Sequence, residues 1–452
     1  MRAPRYTARG ASDVIPAGWS ECTIEELQAP GKGSLCGGPF GSDLVREDYK
    51  SAGVPVIRGC NLGAGADRFQ TRDLVFVSAE KAESLARNIA RPGDVLFTQR
   101  GTLDQIGLIP DDLPWAEFVI SQSQMKLTCD LEKAVPEYIY YFCKSPLARD
   151  YLRRNTIATG VPHTNLGILK RLRVLLPPIA EQRTIADALG TIDARLRLGR
   201  RMNRDLDRMA RALFRAWFHD YEPVHANAAG ERHATTDELT ASLFPRALDD
   251  HDGFLAPRGW ELRSLLACAE FLNGGAFSTA DFSSEGLPVI KIAELKRGVG
   301  SKTRRSEGGG KGRQQIDSGD ILFSWSGTPE TSIGTFLWTG GPAWLNQHIH
   351  KVIPRRPAEH AFLYCLLREL RHTFVALARD HQTTGLGHVT QRDLDRIPVA
   401  VPPLRLLERF SLQIDPLLSR MITNDETAQT LIAYRDALLP QLISGQVRVN
   451  DL

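Results

Sequence analysis

The sequence predicts an α+β chain built by internal duplication: two similar α/β domains, each followed by a long heptad helix, with the helices pairing antiparallel. Three observations predict it. From Ile185, alternating steps of four and three residues visit Leu189, Ile192, Leu196, Gly199, Asn203, Leu206, Ala210, Leu213 and Trp217, the 3.5-residue period of a coiled-coil seam. Adding 225 to these positions gives Phe410, Ile414, Leu417, Met421, Asn424, Ala428, Leu431, Arg435, Leu438 and Leu442, a second seam in which only Asn424 and Arg435 are strongly polar. Ahead of each seam, the same short motifs recur in the same order.

Residues 1–17 read as a polar, basic tail without the apolar run of a secretion signal. The first domain, 18–177, opens on Gly18-Trp19, and the second, 257–402, on Gly259-Trp260 near its start. GGPFGSDL (37–44) is matched loosely by NGGAFSTADF (273–282), and GVPVIRG (53–59) by GLPVIKI (286–292). Each of the latter reads as a turn leading into a strand whose proline suits a strand start or edge. PGDVLFTQRGT (92–102) is matched by SGDILFSWSGT (318–328), a Gly-Asp turn before a buried strand, and SQSQMKL (121–127) by NQHIHKV (346–352). Amphipathic helices are expected over 136–154 and 361–379. TGVPHTNLGILKRLRVLLPP (159–178) and TGLGHVTQRDLDRIPVAVPP (384–403) then close the domains. A period above 200 residues marks duplicated domains and not a solenoid.

The helical spacers are expected over 178–221 and 403–447. Pro177-Pro178 and Pro402-Pro403 pre-set their starts, Glu181 suits the first turn of the first, and Glu222-Pro223 marks its end. Some 40 residues make a rod of about 60 Å. Arg195, Arg197, Arg200, Arg201, Arg204, Arg208, Arg211 and Arg215 suit its solvated face. Residues 222–256, polar and turn-rich, read as a linker or partner-binding arm, and 448–452 as a C-terminal tail.

Composition is that of an ordinary globular chain: 42% hydrophobic, 24% charged, net charge +3 over 452 residues. Such a balance permits nucleic-acid binding without arguing for it. No apolar run is long enough for a membrane span. Seven cysteines, odd in number and nowhere in a CxxC pair, argue against a disulfide framework or zinc module and suit a reducing cytoplasm.

Catalytic parts are sparse. Gly308 to Gly312 lacks the Ser or Thr and the spacing of a phosphate loop. Asp281 with Glu294 and Lys296 imitates a nuclease's carboxylates and lysine, yet the matching stretch Gly63-Ala64-Gly65 has no counterpart. His348 and His350 share a strand face without a third metal ligand. The Pro-Pro pairs follow Leu and Val, unlike the loop of an amino-methyltransferase. Metal, cofactor and catalytic residues are therefore none in this chain.

Binding fits better. Arg and Lys pair with guanine edges, Asn and Gln with adenine. Base-reading candidates on expected loops are Arg58, Asn61, Gln99, Arg100, Gln122, Gln124, His163 and Asn165 in the first half. In the second they are Lys291, Trp325, Asn346, Gln347, His348, His381, Gln382 and His388. Lys170, Arg171, Arg173, Arg392 and Arg396 suit phosphate contacts, which position without specifying. A self-contained nuclease or methyltransferase, or a scaffold without base reading, are the competing classes.

LLPPIAEQRTIADALGTIDA, LFRAWFHDYEPV and LLPQLISGQVRV resemble the specificity subunit of Type I restriction-modification systems, and GDVLFTQRGT, ISQSQMKL and GDILFSWSG resemble that family's target recognition domains. The resemblance runs from Trp19 to Val449 and departs at LRLLERF, after the second Pro-Pro. It implies two target recognition domains reading a bipartite double-stranded DNA site, with helices that set the unread gap. It implies a cytoplasmic complex with two modification subunits, which use S-adenosylmethionine to methylate adenine, and restriction subunits, which use ATP and Mg. With the seams fully overlapped and antiparallel, paired positions share the sum 627, so Asn203 is expected to face Asn424 and to fix the register.

Overall fold

The computed structural model describes residues 15–63, 65–102, 105–156, 163–308, 312–382 and 385–449. Most of the N-terminal tail, the end of the C-terminal tail, Ala64, the start of TGVPHT, Gly309 to Lys311 and Thr384 lie outside them. The chain divides into two compact units, Met1–Leu198 with Thr430–Leu452, and Gly199–Gln429.

Each unit is built on two four-stranded sheets with equivalent registers. In the first unit, Val95–Thr98 runs antiparallel to Gln124–Leu127, with Val95 opposite Leu127 and Thr98 opposite Gln124. In the second, Ile321 lies opposite Val352 and Ser324 opposite Ile349, the same pairs shifted by 226 and 225. The other sheet contains a parallel pair, Val56 with Val119 and Ile57 with Ile120, reproduced as Val289 with Trp344 and Ile290 with Leu345. All four residues of Val95–Thr98 and of Ile321–Ser324 are buried, as near-continuous apolar runs flanked on both faces should be. A two-stranded ribbon, Ser20–Thr23 with Arg173–Leu176, ties the first domain's start to its end, and Glu261–Ser264 with Pro398–Val401 does so in the second.

The long helices are Ile179–Phe214 and Leu404–Ser444. The first passes into a π-turn, Arg215–His219, and stops at Tyr221, whose φ of 51° is left-handed; Pro223 then sits in the first turn of the next helix. The second stops at Gly445, φ 71°, a helix C-cap. In the first unit the helices bury Ile185, Leu189, Leu196, Leu438 and Leu442. There Arg435, opposite Ile192 in the seam count, reaches the fully buried Asp193 carboxylate at 2.9 Å, and Tyr141 donates to the same group at 2.8 Å. In the second unit Trp217 packs on Phe410 with ring centroids 5.8 Å apart.

Three local expectations change. The helix expected over 136–154 is two, Pro136–Lys144 and Pro146–Arg154, because Ser145 is extended and caps the second with its hydroxyl while Pro146 occupies its first turn. The copy breaks likewise, into His360–Glu369 and Arg371–Asp380. Residues 222–256 are no bare linker: they form helices Glu222–Ala229 and Glu238–Ala241 and the hairpin Leu248–His251 with Phe254–Pro257. Val224, Phe244 and Ala256 are buried in the aromatic core with Leu243, Leu248 and Phe254 packed against it, and the Thr235 hydroxyl accepts from Trp217 Nε1 at 2.8 Å.

The departure at LRLLERF also has a structural counterpart. Glu181 accepts from Trp19 Nε1 at 3.0 Å and binds Arg448, while the buried Gln182 accepts from the Val135 N–H and donates to the Lys133 and Pro177 carbonyls. The equivalent positions, Leu406 and Leu407, are buried apolar groups, and Trp260 Nε1 has no hydrogen-bond partner among the described residues.

Removing one member of a buried ion pair strands the other. Arg435→Met should therefore destabilise the first unit by about 3 kcal/mol, read as an earlier urea transition, whereas Asp193→Asn with Arg435→Met should recover part of the loss.

Candidate functional site

In both units the strand that ends at Thr98 or Ser324 leads into a corner held by main-chain bonds. The Gln99 N–H donates to the Ser123 carbonyl at 2.7 Å, and the Gln99 carbonyl accepts from the Thr164 N–H at 3.0 Å. The Trp325 N–H donates to the His348 carbonyl at 3.4 Å, and the Trp325 carbonyl accepts from the Val389 N–H at 2.8 Å. One residue further, Arg100 bridges to His163 and Ser326 pairs with His388. A glycine closes each corner: an added Cβ on Gly38 would lie 2.0 Å from the Ser121 carbonyl oxygen, and on Gly274 2.2 Å from that of Asn346. Only glycine lets the chain pass so close to another backbone.

In the first unit this corner forms a cleft of about 490 Å³ lined by Gly37 to Gly41, Gln99, Arg100, Gln122 and Asn165 to Gly167. Gln99 and Arg100 make no side-chain hydrogen bond or ion pair among the described residues, so their polar ends are uncommitted. Gln122 donates to the Gly41 carbonyl, and Asn165 caps helix Leu166–Lys170 by accepting from the Ile168 N–H at 2.9 Å. Phe40, 85% exposed at the cleft, escaped the sequence reading; an aromatic inside a glycine-rich turn was the available signal.

The remaining first-half candidates lie elsewhere. Asn61 is fully buried, accepting from the Arg58 N–H and donating to the Gln70 and Arg72 carbonyls, so it holds a loop together. Arg58 donates to the Asp73 carbonyl. Gln124 is buried beneath the corner with its Oε1 on the Ser121 hydroxyl. Lys170 and Arg173 form ion pairs with Glu25 and Glu21, and Arg171 is exposed near the Tyr151 hydroxyl.

In the second unit the corner gathers Trp325, Gln347, His348 and the buried His350. The Trp325 ring stacks on His350 with centroids 5.7 Å apart and planes at 25°, and lies 5.9 Å from His348. Trp325 Nε1 donates to Asn273 Oδ1 at 3.2 Å. Gln347 and His348 are exposed, with their side-chain nitrogens 3.4 Å apart. His348 lies just before the strand Ile349–Pro354 and is exposed, His350 is buried within it, and both rings lie against Trp325. Burial lowers the His350 imidazole to about 4 and keeps it neutral.

Asn346 is buried, its N–H donating to the Ile290 carbonyl. Lys291 is exposed with its ammonium 5.3 Å from the Phe282 ring. His381 lies 3.3 Å from the His388 carbonyl and 3.4 Å from Asp393, while Gln382, Arg392 and Arg396 are exposed. The nuclease-like carboxylates serve as local caps: Asp281 accepts from the Ser278 N–H and Glu294 from that of Lys291. Among the described residues no group of three His, Cys, Asp or Glu is placed to hold a metal, and no helix is long and apolar enough to cross a membrane.

Between the long helices of the second unit, Asn424 Nδ2 donates to Asn203 Oδ1 at 2.8 Å. Asn203 Nδ2 in turn donates to the Met421 carbonyl at 3.1 Å and to Asp425 at 2.7 Å, and Asp425 also accepts from the Thr339 hydroxyl at 3.1 Å.

One sheet frame used twice, with a long helix after each copy and different side chains at the same corner, defines a class of internally duplicated proteins. The family described as the Type I restriction modification DNA specificity domain matches the chain twice, over residues 52–207 and 257–406. The chain is 24% identical over 449 residues to the Type I restriction enzyme MjaIX specificity subunit of Methanocaldococcus jannaschii, covering 97% of this chain and 95% of that protein. It is 22% identical over 411 residues to the HindI specificity subunit of Haemophilus influenzae, covering 80% and 88%. The crystal structure of the Type I restriction-modification S subunit from M. genitalium shares the fold, with a TM-score of 0.55 at 16% identity over 96% of this chain and 98% of that one. The chain belongs to the family of Type I restriction-modification specificity subunits.

The buried His350 gives a pH test. An unfolded histidine protonates near 6.5, whereas the native one resists until about 4, so its contribution to stability is full above pH 6.5 and falls away as the pH drops towards 4. Between pH 7 and 4.5 the protein should lose about 2–3 kcal/mol more than a His350→Met variant, which carries the first unit's residue at that position, in urea titrations.

Proposed function

We propose that the chain is the sequence-reading, non-catalytic component of a Type I complex, and that each unit's corner reads one half of a bipartite double-stranded DNA site. One observation carries this reading. The main-chain frame of the corner is the same in both units, but Gln99 is replaced by Trp325, Arg100 by Ser326 and Ser123 by His348. A frame held constant while its side chains change is what two readers of different sequences require. Uncommitted Gln and Arg ends suit adenine and guanine edges, and exposed Arg171, Arg392 and Arg396 suit phosphates.

The long helices set the unread gap and dock two modification subunits, with the Asn203–Asn424 pair fixing their register. Adenine methylation with S-adenosylmethionine, and ATP- and Mg-dependent cleavage, belong to the modification and restriction partners in the cytoplasm. The use of Asp281 and Glu294 as loop caps supports assigning chemistry to those partners.

Methylated adenines mapped across a genome expressing the chain with its modification subunits test the reading. Gln99→Ala or Arg100→Ala should each cost about 1–3 kcal/mol of discrimination at one base pair of one half-site and leave the other half intact. Relaxation in both halves, or in neither, contradicts it.

A further inference from the structure

The second unit's corner offers a different chemistry from the first's, and the inference drawn from it rests on the reading that both corners face bases. Gln99 and Trp325 stand at one place in the frame, each just past a fully buried strand and each held by main-chain bonds on both sides. Gln99 presents an amide whose donors and acceptor have no partner among the described residues. Trp325 has one donor and no acceptor, and that donor is already engaged by Asn273. The next residue, Arg100 in the first unit, is Ser326 in the second, which removes the long cation as well.

At this place in the frame stands an indole fixed in position. One face rests on the buried His350 ring, and His348 flanks it. His350 Nδ1 is buried without a hydrogen-bond partner among the described residues, and burial keeps the ring neutral, so it presents an uncharged stacking floor beneath the indole. A rigid apolar plate cannot satisfy the donors and acceptors of a purine or cytosine edge. In the major groove the one apolar group a base presents is the thymine C5-methyl. We propose that Trp325 is a specificity-determining residue that selects a thymine in the second half-site by packing on its methyl group.

The test uses duplexes carrying the methylated site found by genome mapping, with each thymine in turn replaced by deoxyuridine, which lacks only the methyl. Binding is measured with the complex of this chain and its modification subunits. The second half-site is the one unaffected by Gln99→Ala. One deoxyuridine there should weaken binding roughly fourfold, the worth of one buried methyl group. Trp325→Phe should keep that sensitivity and Trp325→Gln should abolish it. Indifference to deoxyuridine throughout the second half-site overturns the proposal, as does a sensitivity that survives in a binding-competent Trp325→Gln protein; if the Gln variant does not fold, Trp325→Ser, which also removes the apolar plate, takes its place with the same expected loss. Failure of the base-reading premise looks different: the complex would then bind the mapped site no better than a scrambled duplex.

Discussion

A polar residue in an apolar helix seam is tolerable only where it meets a partner, and that constraint acts at two levels along the long helices. In the second unit Asn203 meets Asn424, and in the first Asp193 meets Arg435. A slip of one heptad would set Asn203 against Leu417 or Leu431 and leave its amide unsatisfied, at about 1–3 kcal/mol. It would also strand the Asp193 carboxylate, which is fully buried. The apolar pairs are more forgiving, since leucine packs on leucine in any register. The middle of the seam is thin as well, with Gly199, Leu206, Met421 and Leu431 all half-buried, so polar contacts matter most there.

The two sheet domains follow a related economy. Their corners are defined by main-chain hydrogen bonds and by Gly38 and Gly274, none of which depends on which side chains line the cleft. Side chains there can change with little strain on the frame beneath them. The duplication shows this within one chain: Gln99, Arg100 and Phe40 make a polar, arginine-edged cleft, whereas Trp325, His348 and His350 make an aromatic one. Stability is carried elsewhere, in buried strands, in the aromatic cluster around Trp217 and Phe410, and in caps such as Gln182.

Much of the architecture was legible in the sequence because it is periodic and because it occurs twice. The heptads, the Pro-Pro starts and the paired GDVLF and GDILF strands all recur at a near-constant offset. What escaped has identifiable causes. Ser145-Pro146 breaks a helix whose apolar spacing continues across the break. Residues 222–256 look like a linker because their anchoring apolar residues, such as Val224, Phe244 and Ala256, are scattered without a period among polar ones. The site was legible only as a neighbourhood. Asn61 and Gln99 are both polar residues on loops, but Asn61 is saturated by carbonyls nine and eleven residues away, while Gln99 is left uncommitted beside a cleft. That difference lies in partners brought together by folding, which no single loop sequence records.

On the proposed reading, two equivalent frames act as independent readers. Exchanging residues 18–177 for the corresponding domain of a relative with a different site, and mapping methylated adenines with the native modification subunits, tests it most directly. The account predicts that one half of the methylated site changes to the donor's while the other half and the gap length stay as they were. A site that changes in both halves, or in neither, would contradict it.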